Sequence, residues 1–305
     1  MRKLIAVLLL LAMVLAGCAS GKETEGFTFT DDLGRQVTVK NPQRVAALLG
    51  SYADIWFLAG GTVCASSEDA WDDLELPMPE DAVNLGSTHG LSLESLFAAN
   101  PDFVIGSTNS TQNLEWQQPL ESAGIPVAYF EVLDFEDYLR VLEICTRITG
   151  KTENFTKYGT DVKDRIDAVL ARNADKQAPT VLVMRASGSS IRAKNSKGTV
   201  LGAMLKDFGC DNIADSDDSL LENLSIESIS LANPDYIFFV QAGSEMDAVK
   251  ENVDSLFREN PLWKELDAVK EGRMFFMEKR LFNMKPNGQW ADAYEIVEKI
   301  LYEAP

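Results

Sequence analysis

Leu91-Ser92-Leu93-Glu94-Ser95-Leu96-Phe97-Ala98-Ala99-Asn100-Pro101-Asp102-Phe103-Val104-Ile105 recurs 133 residues later as Leu224-Ser225-Ile226-Glu227-Ser228-Ile229-Ser230-Leu231-Ala232-Asn233-Pro234-Asp235-Tyr236-Ile237-Phe238. Eight of the fifteen positions are identical, and most of the others are conservative. Each copy reads as a short helix, an Asn-Pro-Asp turn and a buried strand. A unit repeated on either side of a long helical stretch predicts two similar lobes.

That stretch is Thr152 to Asn173, where Phe155, Tyr158, Val162, Ile166, Val169 and Leu170 follow helical spacing. Upstream, Phe27 to Val39 alternates about an Asp31-Asp32-Leu33-Gly34 turn and predicts a β-hairpin. Apolar runs at Val45–Leu49, Thr62–Ala65, Asp102–Ile105 and Pro126–Phe130 read as strands. Helical patterns at Tyr52–Ala59, Gln112–Ala123 and Phe135–Ile148 alternate with them, and Gly60-Gly61 and Gly150 act as stops. The rhythm restarts at Thr180–Met184. Strands alternating with helices predict parallel sheets. The expected fold class is α/β, with two Rossmann-like lobes joined by a single long α-helix and a ligand cleft between them. The expected boundaries are a signal peptide at 1–17, a lipidated tether at 18–26, an N-terminal lobe at 27–151, a connecting helix at 152–176 and a C-terminal lobe at 177–305.

The chain has 305 residues, 47 acidic against 28 basic, and a formal net charge of −19. Such a balance excludes a general nucleic-acid binder, which needs a basic surface to neutralise phosphates. One His and four scattered Cys do not supply the paired spacings of a structural zinc site. Cys64, Cys145 and Cys210 are expected chiefly as buried small hydrophobes, and a Cys64–Cys210 bridge would have to join the two lobes. Arg2-Lys3, the apolar run Leu4–Leu15 and Ala16-Gly17-Cys18 have the layout of a signal peptide, too short to span a bilayer as a helix. Leu15-Ala16-Gly17-Cys18 resembles the lipobox of bacterial lipoproteins. The resemblance implies a diacylated Cys18 and stable attachment to the cell membrane.

Over about residues 27–305 the chain resembles the ABC-transporter substrate-binding proteins for iron–siderophores, haem and vitamin B12. The likeness rests on the order of several elements: the Phe27–Val39 hairpin before Pro42-Gln43-Arg44-Val45, and the two Glu-containing helices before Asn-Pro-Asp strands. Next come Gly202-Ala203-Met204-Leu205 leading to Phe208–Asp215, and Asn260-Pro261-Leu262-Trp263 leading to Ala268–Arg273. The resemblance implies a rigid helix between two α/β lobes that close modestly on a ligand held between them. It implies a monomer that delivers a small-molecule metal chelate to an ABC permease dimer with its ATPase. The chelate is cargo rather than cofactor, with a ferric siderophore expected first and a corrinoid or haem as alternatives. Glu94 and Glu227 fall where the family places one docking carboxylate per lobe. The bland reading of both is a carboxylate in the first turn of a capped helix, favoured by the helix dipole.

In α/β lobes, ligands bind beyond the carboxyl ends of the strands. Tyr52, Trp71, Phe282 and Trp290 fall in or near such segments and are expected to cover a flat ligand. Arg185, Arg280 and Lys285 are expected to pair with its carboxylates or phosphate. His89, Asn109, Gln241 and Asn287 complete the expected cleft, with His89 lining it rather than ligating metal. An extracytoplasmic hydrolase would need a Cys64–His89 or Ser–His89 arrangement, and the chain has no Gly-x-Ser-x-Gly elbow. No catalytic residue and no enzymatic activity are expected.

Overall fold

In the computed structural model, the described residues are 26–303 apart from Asp217, Asn223, Ser244 and Glu259. The expected leader, Cys18 and the tether up to residue 25 lie outside them. Strands β1 (Phe27–Thr30) and β2 (Gln36–Val39) form the antiparallel hairpin. The first large sheet contains β3 (Val45–Ala47), β4 (Val63–Ser66), β5 (Val83–Asn84), β6 (Phe103–Ser107) and β7 (Val127–Phe130). It is parallel throughout, in the order β5-β4-β3-β6-β7. The second contains β8 (Thr180–Ala186), β9 (Ile191–Lys194), β10 (Asp211–Asn212), β11 (Tyr236–Gln241) and β12 (Met274–Met277). Its parallel order is β10-β8-β11-β12, with β9 antiparallel to the carboxyl half of β8.

The repeated turn explains why each sheet starts in register. Asn100 and Asn233 both adopt positive φ, 49° and 43°, a conformation Asn tolerates better than most residues. The Asp that follows then faces a neighbouring strand. The Asp102 carboxylate accepts from the backbone N–H of Gln43 (2.7 Å) and Arg44 (2.9 Å), just before β3. The Asp235 carboxylate accepts from the Thr180 N–H (2.8 Å) and hydroxyl (2.9 Å), at the start of β8. Phe103 is thereby set against Val45, and Tyr236 against Val181.

Between the sheets the chain runs as one helical segment: Glu153–Phe155, a π turn at Thr156–Thr160, and Asp161–Ala171. The π turn is absent from a simple 3.6-residue reading of this stretch. Inside it, the Tyr158 carbonyl accepts the Tyr138 hydroxyl at 2.8 Å. The terminal helix Trp290–Tyr302 packs back along Asp161–Ala171, with Arg165 paired to Asp292 (2.7 Å) and Glu295 (2.9 Å) and Arg172 paired to Glu298. The expected Gln112–Ala123 helix is two short ones, Thr111–Glu115 and Gln117–Ser122, with Trp116 at the junction. Pro119 is accommodated in the first turn of the second, where an N–H lacks an intrahelical partner anyway.

One apolar core runs through both lobes. It joins Tyr52, Phe103 and Phe130 of the first, Val162 and Ile166 of the helix, and Val183, Phe238, Trp290 and Tyr294 of the second. Separate clusters cover the far face of each sheet, around Leu48, Val104 and Tyr129 in the first and Met184, Phe239 and Trp263 in the second.

Candidate functional site

The segments that follow β3, β4 and β12, largely short helices, meet. Lys279, two residues beyond β12, brings its Nζ to 2.5 Å from the carboxylate of Asp73, in the stretch after β4. Arg280 Nη2 lies 3.1 Å from the Asp54 carboxylate, on the Gly50–Leu58 helix that follows β3. The Asn287 side-chain amide donates to the Ser51 carbonyl (2.9 Å) and to Asp54 (2.8 Å). The carboxyl ends of the two sheets therefore face one another, which is where α/β lobes bind ligands.

Gly50 is required by close approach, since a Cβ there would stand 2.6 Å from the Ala70 nitrogen. Its N–H donates to Asp69 Oδ1 at 3.1 Å, and the Ser67 hydroxyl donates to the same oxygen. Burial raises the pKa of Asp54, opposed by its bonds from Asn287 and Arg280. Lys285 holds its ammonium 5.0 Å from the centre of the Tyr52 ring. Burial depresses its pKa to about 8, against the opposing pull of Asp69.

Several residues expected to touch a ligand are occupied elsewhere. Tyr52, Phe282 and Trp290 are buried, with exposures of 1%, 2% and 0%. The Tyr52 hydroxyl donates to the Phe130 carbonyl at 2.5 Å, and Trp290 packs edge-on against Phe135. These rings fill the shared core and offer no open face, which corrects the expectation that they cover a flat ligand. Arg280 and Asn287 are committed to the clamp on Asp54. Trp71 is half-buried, while His89 and Asn109 are exposed. Gln241 is half-buried and its Oε1 accepts from the Lys279 N–H at 3.2 Å. Glu94 and Glu227 are exposed in the first turns of Leu93–Ala98 and Ile226–Ala232, after Ser92 and Ser225, whose hydroxyls accept from Ser95 (3.1 Å) and Ser228 (3.2 Å). Cys64, Cys145 and Cys210 are free thiols; Cys145 and Cys210 are buried and Cys64 is half-buried. The possible Cys64–Cys210 bridge does not form.

Arg185 is exposed near the carboxyl end of β8, and it is not alone. On β9 it stands opposite Arg192, and Lys194 stands opposite Val183. Side chains alternate along strands, so Arg185, Arg192 and Lys194 share one face of the sheet. The row Arg192–Arg185–Val240–Met277 crosses four strands, ending in apolar core residues at one side and in two arginines at the other. Burial, and after it the charges of Arg185 and Arg192, lower the pKa of Lys194. The sequence reading included Arg185 and missed Arg192 and Lys194. The alternation in Ile191-Arg192-Ala193-Lys194 was the available signal, but four residues are a short run.

Among the described residues no cluster of three or more His, Cys, Asp or Glu is arranged to hold a metal ion, and no helix is long and apolar enough to cross a membrane.

Two parallel α/β lobes with facing carboxyl ends define a two-lobe solute-binding architecture. A family model described as "Periplasmic binding protein" matches residues 45–281, and the chain belongs to that family. Among curated proteins it is 24% identical over 285 residues to the Fe(3+)-citrate-binding protein YfmC of Bacillus subtilis (strain 168), covering 89% of this chain and 87% of that one. An ABC transporter substrate-binding protein from Listeria monocytogenes EGD-e superposes with a TM-score of 0.72 at 23% identity, over 86% of this chain and 99% of the other. Haem-complexed IsdE of S. aureus does so with a TM-score of 0.70 at 17% identity, over 85% and 98%.

Proposed function

We propose that this protein is the lipid-anchored extracytoplasmic receptor of an ABC importer, and that it captures a ferric siderophore between its lobes for delivery to the permease. The observation that carries the reading is the meeting of the two sheets' carboxyl ends in a chain of the periplasmic binding protein family. The match to a ferric citrate-binding protein over most of both chains supports an iron chelate as the cargo. Cys18, behind its leader, supplies the thiol for the lipid anchor. The protein works by binding and release, without catalysis. Purified protein is to be titrated with ferric siderophores, haemin and cobalamin and followed by absorption. Saturable binding of a ferric siderophore is expected, and binding of haemin or cobalamin alone would reassign the cargo.

Glu94 and Glu227 serve as the docking carboxylates in this reading. Each is exposed at the start of an equivalent helix, and the pair suits a permease with two-fold symmetry. The Glu94→Ala/Glu227→Ala double variant should bind ligand normally and lose uptake in cells carrying the cognate permease. A purely capping role predicts normal uptake with a loss of about 0.3–1 kcal/mol in stability per site.

A further inference from the structure

We propose that the π turn at Thr156–Thr160 and the short turn at Asn287–Gln289 form a single hinge, about which the second lobe swings against the first to close on its cargo. The inference deepens the capture reading above and rests on it for what the motion serves; the motion itself is readable without cargo. It starts from where the helix between the sheets is tied down. Ahead of the π turn the chain is tied to the end of the first lobe's Gly50–Leu58 helix. The Thr149 hydroxyl donates to the Ala59 carbonyl (2.7 Å), the Lys151 ammonium to the Gly60 carbonyl (2.6 Å) and the Asn154 amide to the Leu58 carbonyl (2.9 Å). Beyond the π turn the helix is tied to Trp290–Tyr302 instead, Arg165 to Asp292 and Glu295, and Arg172 and Asn173 to Glu298. Among the described residues, the only side chain of another element that hydrogen-bonds to 156–160 is Tyr138, through its hydroxyl.

A helix tied at both ends to different bodies bends where its ladder is broken. An uninterrupted α-helix bonds every residue to the fourth before it and curves only gently, whereas sharp bends concentrate at interruptions, π turns among them. A π turn holds one residue more than the α turn it replaces. Its bonds can be exchanged for the α pattern, and back, while both flanks keep their own partners. The chain crosses between the lobes a second time at 279–290, and two crossings set far apart would lock the lobes. Here they touch. A Cβ on Gly288 would lie 3.5 Å from Leu58 and 3.6 Å from the Tyr158 ring, so the Asn287–Gln289 turn is seated between the first lobe and the π turn. Asn287 holds a positive φ of 53° and gives its side-chain amide to Ser51 and Asp54 beside the cleft. Two adjoining turns define one axis, and hinges of this kind are a few residues at element ends that absorb the change.

The test measures the distance between the lobes by pulsed electron paramagnetic resonance. Spin labels are placed on Glu115→Cys in the first lobe and Ser255→Cys in the second, both exposed positions, with Cys64→Ala to remove the half-buried native thiol. Ferric citrate, haemin and cobalamin serve as probes, and one that binds should shift the mean distance by about 2 Å or more. In the free protein, deletion of the exposed Thr156 restores the α ladder and should narrow the distance distribution. Tyr138→Phe should broaden it and speed exchange of the 156–162 amides by about two- to tenfold. Arg165→Gln, which loosens a tied half, should leave the width unchanged. A folded deletion variant as broad as wild type, a Tyr138→Phe variant no broader, or equal broadening by Arg165→Gln overturns the hinge, and so does a bound probe that leaves the mean distance where it was. If the deletion variant does not fold, Tyr138→Phe and Arg165→Gln still decide. Failure of all three probes to bind overturns the capture reading, while the hinge stands or falls on the widths in the free protein.

Discussion

Lys285 carries a cost that can be read by titration. Its folded pKa of about 8 lies below the ordinary lysine value, so the folded protein holds this proton less tightly than the unfolded chain. Between about pH 8 and pH 10.4 the unfolded chain binds the extra proton, and stability rises with pH across that window. Below pH 8 the amine is charged in both states and the burial cost is fully present, partly offset by the Tyr52 ring. Lys285→Met should therefore gain roughly 1–3 kcal/mol at pH 7 and flatten the rise between pH 8 and 10. Parallel pH–stability curves for the two proteins would show that the amine is not under this constraint. Asp54 makes the opposite case. Asp54→Ala strands Arg280 and Asn287 and should cost about 2–4 kcal/mol, moderated because Arg280 is partly exposed. Asp54→Asn keeps the shape and a hydrogen-bonding group, and should cost less than half as much by urea denaturation.

At the scale of elements, the π turn at Thr156–Thr160 leaves a carbonyl that the Tyr138 hydroxyl takes up. Tyr138→Phe should lose about 0.5–1.5 kcal/mol and speed amide exchange around Tyr158–Val162, while Tyr302→Phe, which removes a hydroxyl with no hydrogen-bond partner among the described residues, should do neither. The hairpin has a comparable task. Asp31 and Asp32 bond the outer edge of β7, through Tyr129 N–H (3.2 Å), Tyr129 carbonyl (3.0 Å) and Glu131 N–H (2.7 Å), and so close a strand edge that would otherwise be open to pairing. The architecture was legible because the Asn-Pro-Asp turn is a local device, with φ, cap and carboxylate all supplied by adjacent residues. The cleft was less so. Tyr52, Phe282 and Trp290 are aromatic residues near strand ends, and nothing in their spacing distinguishes a ring that lines a cavity from one that fills a core. Arg192 was missed because β9 exists only through its partner β8, and a four-residue basic strand has little signal of its own.

For the whole molecule, the shared core decides how the lobes behave. Because one cluster includes Phe130, Ile166, Phe238 and Trp290, the lobes should unfold together, in a single transition with calorimetric and van't Hoff enthalpies in agreement. Two separated heat-capacity peaks would contradict it. The Lys279–Asp73 pair, with both side chains partly exposed, contributes up to about 1 kcal/mol, and under the proposed function it would part as a ligand enters. The Asp54–Asn287–Arg280 clamp is deeper and stays. The chain thus passes between its lobes at 153–171 and reaches back at 279–290 to fasten itself to the first. Cut from the rest, residues 26–150 would keep the Ser51 carbonyl and Asp54 carboxylate without their donors and would lose the cover of Trp290. Chimaeras made by exchanging one lobe for a relative's must accordingly move the 279–290 segment together with the first lobe, although it is encoded at the far end of the second.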